Sequence, residues 1–464
     1  MKTPVTVVIL AAGLGTRMKS RKAKVLHQAG GRPLIRHVVD TALELTPAER
    51  IFVVVGHQAE EVRRAVSTPG IRFIRQTEQK GTGDAVTSGR EELAPLGGRL
   101  MILYGDCPLL RVETLRRLIE AASGAGKSAG VLLTAQMKDP TGYGRIIRDS
   151  HGHVRAIVEQ KAATTEQLAI REANMGIYCL HADLFWKHAG EIQPNPASGE
   201  YYLTDMVEIL NRAGHTVEAV EVEDAREALG INTRLELAEV DRLFRGRKVT
   251  ELMLAGVTIE MPETVTVDAG VRIGMDTIVE PFARILGNTV IGENCRIGAG
   301  AIVSDSELAD DVEVGPYTLV NTSRLERGVH AGPFARLRME NHVSEGAHIG
   351  NFVELKKTRM GVSAKANHLA YLGDSQIGAS VNVGAGTITC NYDGAHKHPT
   401  RIGDGAFVGS NSTLVAPLEI GEGAYVAAGS VITDAVPADA LAVGRARQVL
   451  KEEWAKKRRA LQKK

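Results

Sequence analysis

The stretch I-G-E-N-C-R-I-G-A-G-A-I-V, residues 291–303, places an aliphatic side chain at every sixth position: Ile291, Ile297 and Val303. The same interval runs backwards through Ile285, Val279 and Ile273. It returns downstream as Ile402, Val408, Leu414, Ile420, Val426 and Ile432, in turns such as I-G-D-G-A-F and I-G-E-G-A-Y. A period of six matches neither the turn of a helix nor the alternation of a strand. It matches a triangular coil with one inward aliphatic per side, the hexapeptide pattern of a parallel β-helix. With three sides per coil, residues 265–436 make roughly ten coils. The pattern breaks between Leu355 and Leu372 and again between Thr389 and Ile402. In a solenoid, breaks map to loops, and loops carry function.

Composition agrees. The chain has 464 residues, with 49 Gly but only 8 Phe, 9 Tyr and 2 Trp. Tight coil corners call for small residues, and a narrow core of Ile, Val, Leu and Ala leaves little room for rings. Tyr371 and Tyr392, both in the breaks, are therefore expected at a site rather than in the core.

Before residue ~230 the pattern is different. Aliphatic runs at Val5–Leu10, Ile51–Val55, Ile71–Ile74 and Leu100–Tyr104 alternate with amphipathic stretches at Pro33–Leu45, Gln58–Val66, Asp84–Leu93 and Val112–Ala122. This order predicts an α/β domain with a mostly parallel sheet, in which ligands sit at the carboxyl ends of strands. Arg234–Leu254 reads as one long helix between the two patterns. The expected organisation is residues 1–233, a linker helix 234–255, a solenoid 256–450 and a basic tail 451–464.

Lys plus Arg is 56 and Asp plus Glu is 55, a balance that gives no reason to expect a nucleic-acid partner. The tail from 451 holds seven cations and two anions and reads first as a solvated end. The four cysteines lie far apart, so neither a zinc site nor a disulfide framework is suggested. No apolar run approaches the ~20 residues of a membrane span, so no membrane insertion is expected. Val5–Ala12 reads as a first strand, and the expected location is cytoplasmic.

Residues 10–18 are L-A-A-G-L-G-T-R-M. Gly13 and Gly15 allow an anion close to the backbone. Met18 stands where a dinucleotide-binding fingerprint needs its third glycine, and no G-K-[ST] follows. The remaining pattern, G-L-G-T-R-M with Lys24 downstream, resembles the nucleotidyltransferases that make nucleotide sugars. The segments Q-T-E-Q-K-G-T-G-D-A from Gln76, L-Y-G-D-C-P from Leu103, T-G-Y-G-R-I from Thr141, V-E-Q-K from Val158, E-Y-Y-L-T-D from Glu200 and G-I-N-T-R from Gly230 extend the likeness. Over essentially the whole chain, their order resembles the bacterial family of bifunctional N-acetylglucosamine-1-phosphate uridyltransferases and glucosamine-1-phosphate acetyltransferases.

The resemblance implies a Rossmann-like nucleotidyltransferase domain followed by a left-handed parallel β-helix. It implies that Leu10, Ala11, Ala12 and Gly13 line the nucleotide, with Tyr104 and Gly105 beside it. Gln76, Gly81 and Thr82 would hold uracil, and Arg17 and Lys24 the triphosphate of UTP. Asp106 and Asn232 would hold Mg²⁺. Gly142, Glu159 and Asn174 would contact the sugar of N-acetylglucosamine-1-phosphate, although Met175 stands where a threonine is common. The anionic phosphate nucleophile needs no general base, so positioning and charge neutralisation carry this step.

The second site falls in the repeat breaks. Acetyl transfer from a thioester to an amine needs a base and a stabilised carbonyl oxygen. A histidine titrating near neutrality suits the first need. The resemblance makes His368 that base. It assigns Arg338, Lys356, Tyr371 and Asn382 to glucosamine-1-phosphate, with Met339 where proline is usual. It assigns Ala385, Asn391, Tyr392, Ser410, Ala428 and Arg445 to acetyl-CoA. It also implies a homotrimer whose acyl site lies between chains, with the basic tail approaching the coenzyme A 3′-phosphate of a neighbour. The product, UDP-N-acetylglucosamine, would feed peptidoglycan and lipopolysaccharide synthesis.

His396 and His398 form an H-K-H pair with no evident third ligand, so a metal there is disfavoured. Two rival readings remain. One is a single-function pyrophosphorylase with a structural or regulatory solenoid, for which the set His368, Lys356, Tyr371, Asn391 and Tyr392 has no use. The other is a non-catalytic assembly protein like the pyrophosphorylase-like translation factors, against which Arg17, Lys24, Asp106 and Asn232 argue.

Overall fold

The computed structural model describes residues 3–13, 15–124, 128–196 and 198–462. The chain forms two compact units, Met1–Phe244 and Arg245–Lys464. The division falls inside the helix Arg234–Leu254, which has the bounds expected from sequence. Val240 packs with Met18, Ala29 and Leu34 in the first unit. Val249 and Leu252 join the core of the second.

The first unit is built on a nine-stranded sheet. Its strands are β1 Val5–Leu10, β2 Ile51–Val55, β3 Arg72–Arg75, β4 Arg99–Tyr104, β5 Ser128–Gln136, β6 Arg145–Arg148, β7 Val154–Val158, β8 Glu172–His181 and β9 Thr216–Glu221. Their order is β3-β2-β1-β4-β8-β5-β9-β7-β6. β3, β2, β1 and β4 run parallel, and β8 enters antiparallel against β4. β1 is buried on both faces, as its unbroken aliphatic run requires. The chain leaves β1 for β2 on one side and later returns to β4 on the other. The crevice between the ends of β1 and β4 is therefore a topological switch point. The helix read as Asp84–Leu93 is two short ones, Thr82–Thr87 and Arg90–Leu93, parted at Gly89.

The second unit is a left-handed parallel β-helix of hexapeptide repeats. Its three parallel sheets hold 11, 10 and 9 strands. Most strands are two or three residues long, with one side chain out and the next in. The inward residues stack: Val279 pairs with Ile297, Ile285 with Val303, and Ile291 with Leu308.

One sequence-level expectation fails. The stretch between Leu355 and Leu372 is no break: Met360 and Ala366 point inward, fully buried, and their strands stay in register with the next coil. One side of this coil is a residue shorter, and its inward residues are Met and Ala rather than Ile or Val. The second break is real. Ile377 pairs directly with Ile402, and the residues from Asn391 to Pro399 leave the coil. Among the described residues, no helix is long and apolar enough to cross a membrane.

Leu355 is fully buried and Leu369 is exposed. Leu355→Ala should lower the solenoid's unfolding free energy by about 2–5 kcal/mol in urea titrations. Leu369→Ala should shift it by no more than about 0.5 kcal/mol.

Candidate active sites

In the first unit, one cavity of about 510 Å³ opens at the carboxyl ends of β1 and β4. It is lined by Leu10, Ala11, Ala12, Gly13, Arg17, Lys24, Gln76, Gly81, Thr82, Tyr104 and Asp106, all marked by sequence. Gly105 lies between the last two, and its N–H donates to the Leu10 carbonyl at 3.0 Å, tying β4 to β1. Gly15 takes a left-handed φ of 61°, and a Cβ there would stand 2.7 Å from Cβ of Lys24. Glycine at this position thus lets Lys24 lie against the turn.

Lys24 is the hub of the cavity floor. Its ammonium pairs with the Asp106 carboxylate and donates to Oδ1 of Asn232 at 3.0 Å. Arg17 donates to the same oxygen at 2.8 Å. Two oxygens of hard character therefore converge on one positive charge. Gln76, buried, donates from Nε2 to the Asp84 carboxylate at 2.7 Å and to the Gly81 carbonyl at 3.2 Å. Among the described residues, no hydrogen bond engages its carbonyl oxygen.

Glu159 and Asn174 lie outside that lining, both near Gly144, where a Cβ would stand 3.6 Å from Glu159 Oε1 and 3.8 Å from Asn174 Cβ. Burial raises the Tyr104 phenol pKa, with Glu159 and Asp106 adding to it. Burial also raises the Glu159 carboxyl, against the pull of the Thr204 hydroxyl, which donates to it at 3.4 Å. Asn174 donates to the Tyr178 hydroxyl at 2.8 Å. The Gly142 turn is joined to the site through Tyr143, whose phenol is pushed up to about 12 by burial and by Cys107, Glu236 and Asp106. Glu200 and Tyr202, from the segment E-Y-Y-L-T-D, also line the cavity, and nothing in the sequence assigns them a role.

In the second unit, register does the assembling. Arg338 pairs with Lys356 and Lys356 with Gly373 on successive coils, while Glu354 pairs with Tyr371. Arg338 donates to Glu354 at 2.6 Å. Lys356, only 4% exposed, donates to Asp374 at 3.2 Å. Asn391 reaches the same carboxylate from the insertion. Asn382 sits on the neighbouring sheet, in register with Lys365. Tyr392 is exposed and donates to the Gly394 carbonyl.

His368 stands at a coil corner. So do Ala385, Ser410 and Ala428, each directly before a left-handed residue: Leu369, Gly386, Asn411 and Gly429. Backbone bonds link these corners in a column, from Asn411 to the Ala385 carbonyl at 2.7 Å and from Gly429 to the Ser410 carbonyl at 2.8 Å. Arg445 closes it, with Cδ 3.8 Å from where a Gly429 Cβ would stand. On the other side of His368, the same corner carries Phe352, Phe334 and Tyr317, exposed and stacked at 5.4 Å. Met339 and Glu340 both take left-handed φ values, 63° and 64°, which a proline ring at 339 could not adopt. Met175 is buried in the core of the first unit. His398 bonds to Asp393 at 2.8 Å.

Residues 7–170 match the model of the MobA-like NTP transferase domain, and residues 270–305 and 399–434 match that of the bacterial transferase hexapeptide. The chain is 73% identical over 463 residues to the Bifunctional protein GlmU of Solibacter usitatus, covering 100% of this chain and 99% of that one. It is 53% identical to the protein of that name from Anaeromyxobacter sp., covering 99% and 94%, and 48% identical to that of Koribacter versatilis, covering 99% and 98%. The chain belongs to the bifunctional GlmU family. It is a bifunctional acetyltransferase and uridyltransferase of the type that makes UDP-N-acetylglucosamine.

The shape of the cavity at the end of β1 depends on Gly15. Gly15→Val should displace Lys24 and lower the rate of uridylyl transfer by about 100-fold, with acetyl transfer unchanged, as steady-state assays of each reaction would show.

Proposed function

We propose that the first unit carries uridylyl transfer and the solenoid carries acetyl transfer. The observation that carries this is the sorting of two residue sets into two separate units. In the solenoid the set falls into two groups, Arg338, Lys356, Tyr371 and Asn391 on one side and the corner column from His368 to Arg445 on the other.

For uridylyl transfer, a phosphate oxygen of N-acetylglucosamine-1-phosphate attacks the α-phosphorus of UTP. The bond between the α- and β-phosphates breaks and pyrophosphate leaves. Arg17 and Lys24 neutralise the triphosphate, and the free oxygen of Gln76 accepts the imide N–H of uracil. Glu159 and Asn174 orient the sugar beside Tyr104. Asp106 and Asn232 would hold Mg²⁺. Their two oxygens already surround a cation, the Lys24 ammonium, and suit a hard ion that keeps waters and phosphates as its other ligands. Mg²⁺ there supplies further charge neutralisation at the triphosphate.

For acetyl transfer, the amine of glucosamine-1-phosphate attacks the thioester carbonyl carbon of acetyl-CoA. His368 takes the amine proton, and the carbon–sulfur bond breaks to release coenzyme A. Arg338 and Lys356 meet the sugar phosphate, with Tyr371 and Asn382 beside it. The corner column from Ala385 through Ser410 and Ala428 to Arg445 holds acetyl-CoA, with Asn391 and Tyr392 near the reacting end. This column is free of rings, so a ligand can lie along it and meet His368 at its foot.

The ringed part of the same corner supports a homotrimer. Phe282, Tyr317, Phe334 and Phe352 are each 46–64% exposed. A row of bare rings this long favours burial against another copy. The helix Trp454–Gln462 is exposed along its described length and carries the basic tail.

His368→Ala should lower acetyl transfer by about 10²–10⁴-fold and spare uridylyl transfer. Asp106→Ala should do the reverse. Both reactions are read separately, as coenzyme A release and as pyrophosphate release. Near-normal coenzyme A release from His368→Ala would overturn the assignment.

A further inference from the structure

Asp374 belongs to none of the motifs, yet it joins two residues of the acetyl-transfer set. Its Oδ2 accepts from Lys356 Nζ, one coil before, and from the Asn391 side-chain amide, at the root of the insertion. Its backbone ties the same strands: its N–H donates to the Lys356 carbonyl at 2.8 Å, and its carbonyl accepts from Thr400 at 3.3 Å, where the insertion returns. It takes a left-handed φ of 49°, a conformation that Asp and Asn tolerate better than other side chains. Beside it, a Cβ on Gly373 would stand 2.5 Å from the Tyr371 hydroxyl and 2.7 Å from Asn391 Nδ2. Glycine there keeps the Tyr371 and Asn391 side chains close over the coil.

The charges around Lys356 make the carboxylate consequential. Its side chain is 6% exposed and that of Asp374 is 19% exposed. Lys397, on the insertion, faces Lys356. The contact with Lys397 and then Asp374 hold the Lys356 pKa above that of an ordinary lysine, while Lys356 pushes the Lys397 pKa down. Tyr371 also faces Lys356, Lys357 lies near Lys397, and Arg338 on the preceding coil has its own carboxylate in Glu354. Lys356 thus sits among cations, and Asp374 is its carboxylate partner. Burial without that partner favours the neutral amine.

We propose that Asp374 is a positioning residue for acetyl transfer: its carboxylate holds the Lys356 ammonium and the Asn391 amide in one arrangement, so that the acceptor's phosphate meets a fixed positive charge. With its N–H₂ group spent on Asp374, Asn391 keeps its carbonyl oxygen for the substrate side. This rests on the reading that Lys356 and Asn391 serve the acetyl-transfer site.

The test uses the full chain and measures KM and kcat for glucosamine-1-phosphate between about pH 7 and 9. Asp374→Asn keeps the backbone preference and removes the charge. It should raise the acceptor KM by about 10- to 100-fold, the loss expected for a hydrogen bond to a charged group, with a smaller change in kcat. The ratio of variant to wild-type KM should grow toward the upper end of this range, because removal of the carboxylate lowers the Lys356 pKa from its raised value. Asp374→Glu should raise KM but keep that ratio flat. Adding Asp374→Asn to Lys356→Ala should cost little more, since the two residues act as one unit. Uridylyl transfer by the same preparations checks folding of the first unit, and urea unfolding checks the solenoid. If Asp374→Asn keeps the wild-type KM at every pH while Lys356→Ala raises it, the positioning role is wrong. If Asp374→Asn fails to fold, Asp374→Glu with a wild-type KM overturns the proposal and a raised KM supports it. If Lys356→Ala and Asn391→Ala both leave KM unchanged, the underlying site reading is wrong.

Discussion

The second unit depends on the stacking of inward aliphatic side chains from one coil onto the next. Ile285 lies over Val303, Leu337 over Leu355 and Leu355 over Leu372. Burial of each such side chain stabilises the stack by about 1.5–3 kcal/mol. Parallel pairing also fixes the register, because a slip of one residue would turn every aliphatic outward. Once register is fixed, residues 17 or 18 apart become neighbours. Arg338 is set beside Lys356 and Asn351 beside His368 by the same ladder that forms the core. Arg338, Lys356 and His368 are thus placed by core packing, while Asn391 and Tyr392 come from the insertion.

Both sites share an electrostatic device. In each, a lysine amine proposed to meet phosphate is held by a carboxylate: Lys24 by Asp106 and Lys356 by Asp374. The surroundings differ. Lys24 stands in an open cavity between two strand ends, with the Asn232 oxygen also turned to it. Lys356 is nearly enclosed, and its partner sits on the next coil. The first arrangement leaves the lysine open to the cavity. The second fixes one charge in place on the coil.

The sequence makes some of this legible and hides the rest for identifiable reasons. Strict six-residue spacing at Ile273–Val303 and Ile402–Ile432 reveals the solenoid because those coils use full-length sides. From Leu308 to Ile377, sides of five residues and inward Met360 and Ala366 blur the period, and the coil at 355–372 reads as a loop though it is regular. Glycine-rich turns at the ends of β1 and β4 mark the first cavity because a close backbone approach to phosphate needs them. Gln76 is legible as a motif residue, but its orientation depends on Asp84, eight positions on, which only the structure places against it. Asp374 and Glu354 are invisible for the same reason: a carboxylate on a coil looks like a solvated face until register shows the cation above or below it. The corner row of rings from Tyr317 to Phe352 is likewise hidden, because its members are 17 and 18 residues apart and no local pattern joins them.

Coil register is proposed to build the acetyl-transfer site, and a crystal structure of the chain with glucosamine-1-phosphate and coenzyme A is the decisive measurement. The sugar phosphate is expected between Arg338 and Lys356, the amine turned to His368, and coenzyme A along the column Ala385, Ser410 and Ala428. A phosphate bound away from Arg338 and Lys356, or coenzyme A lying off that column, would contradict it.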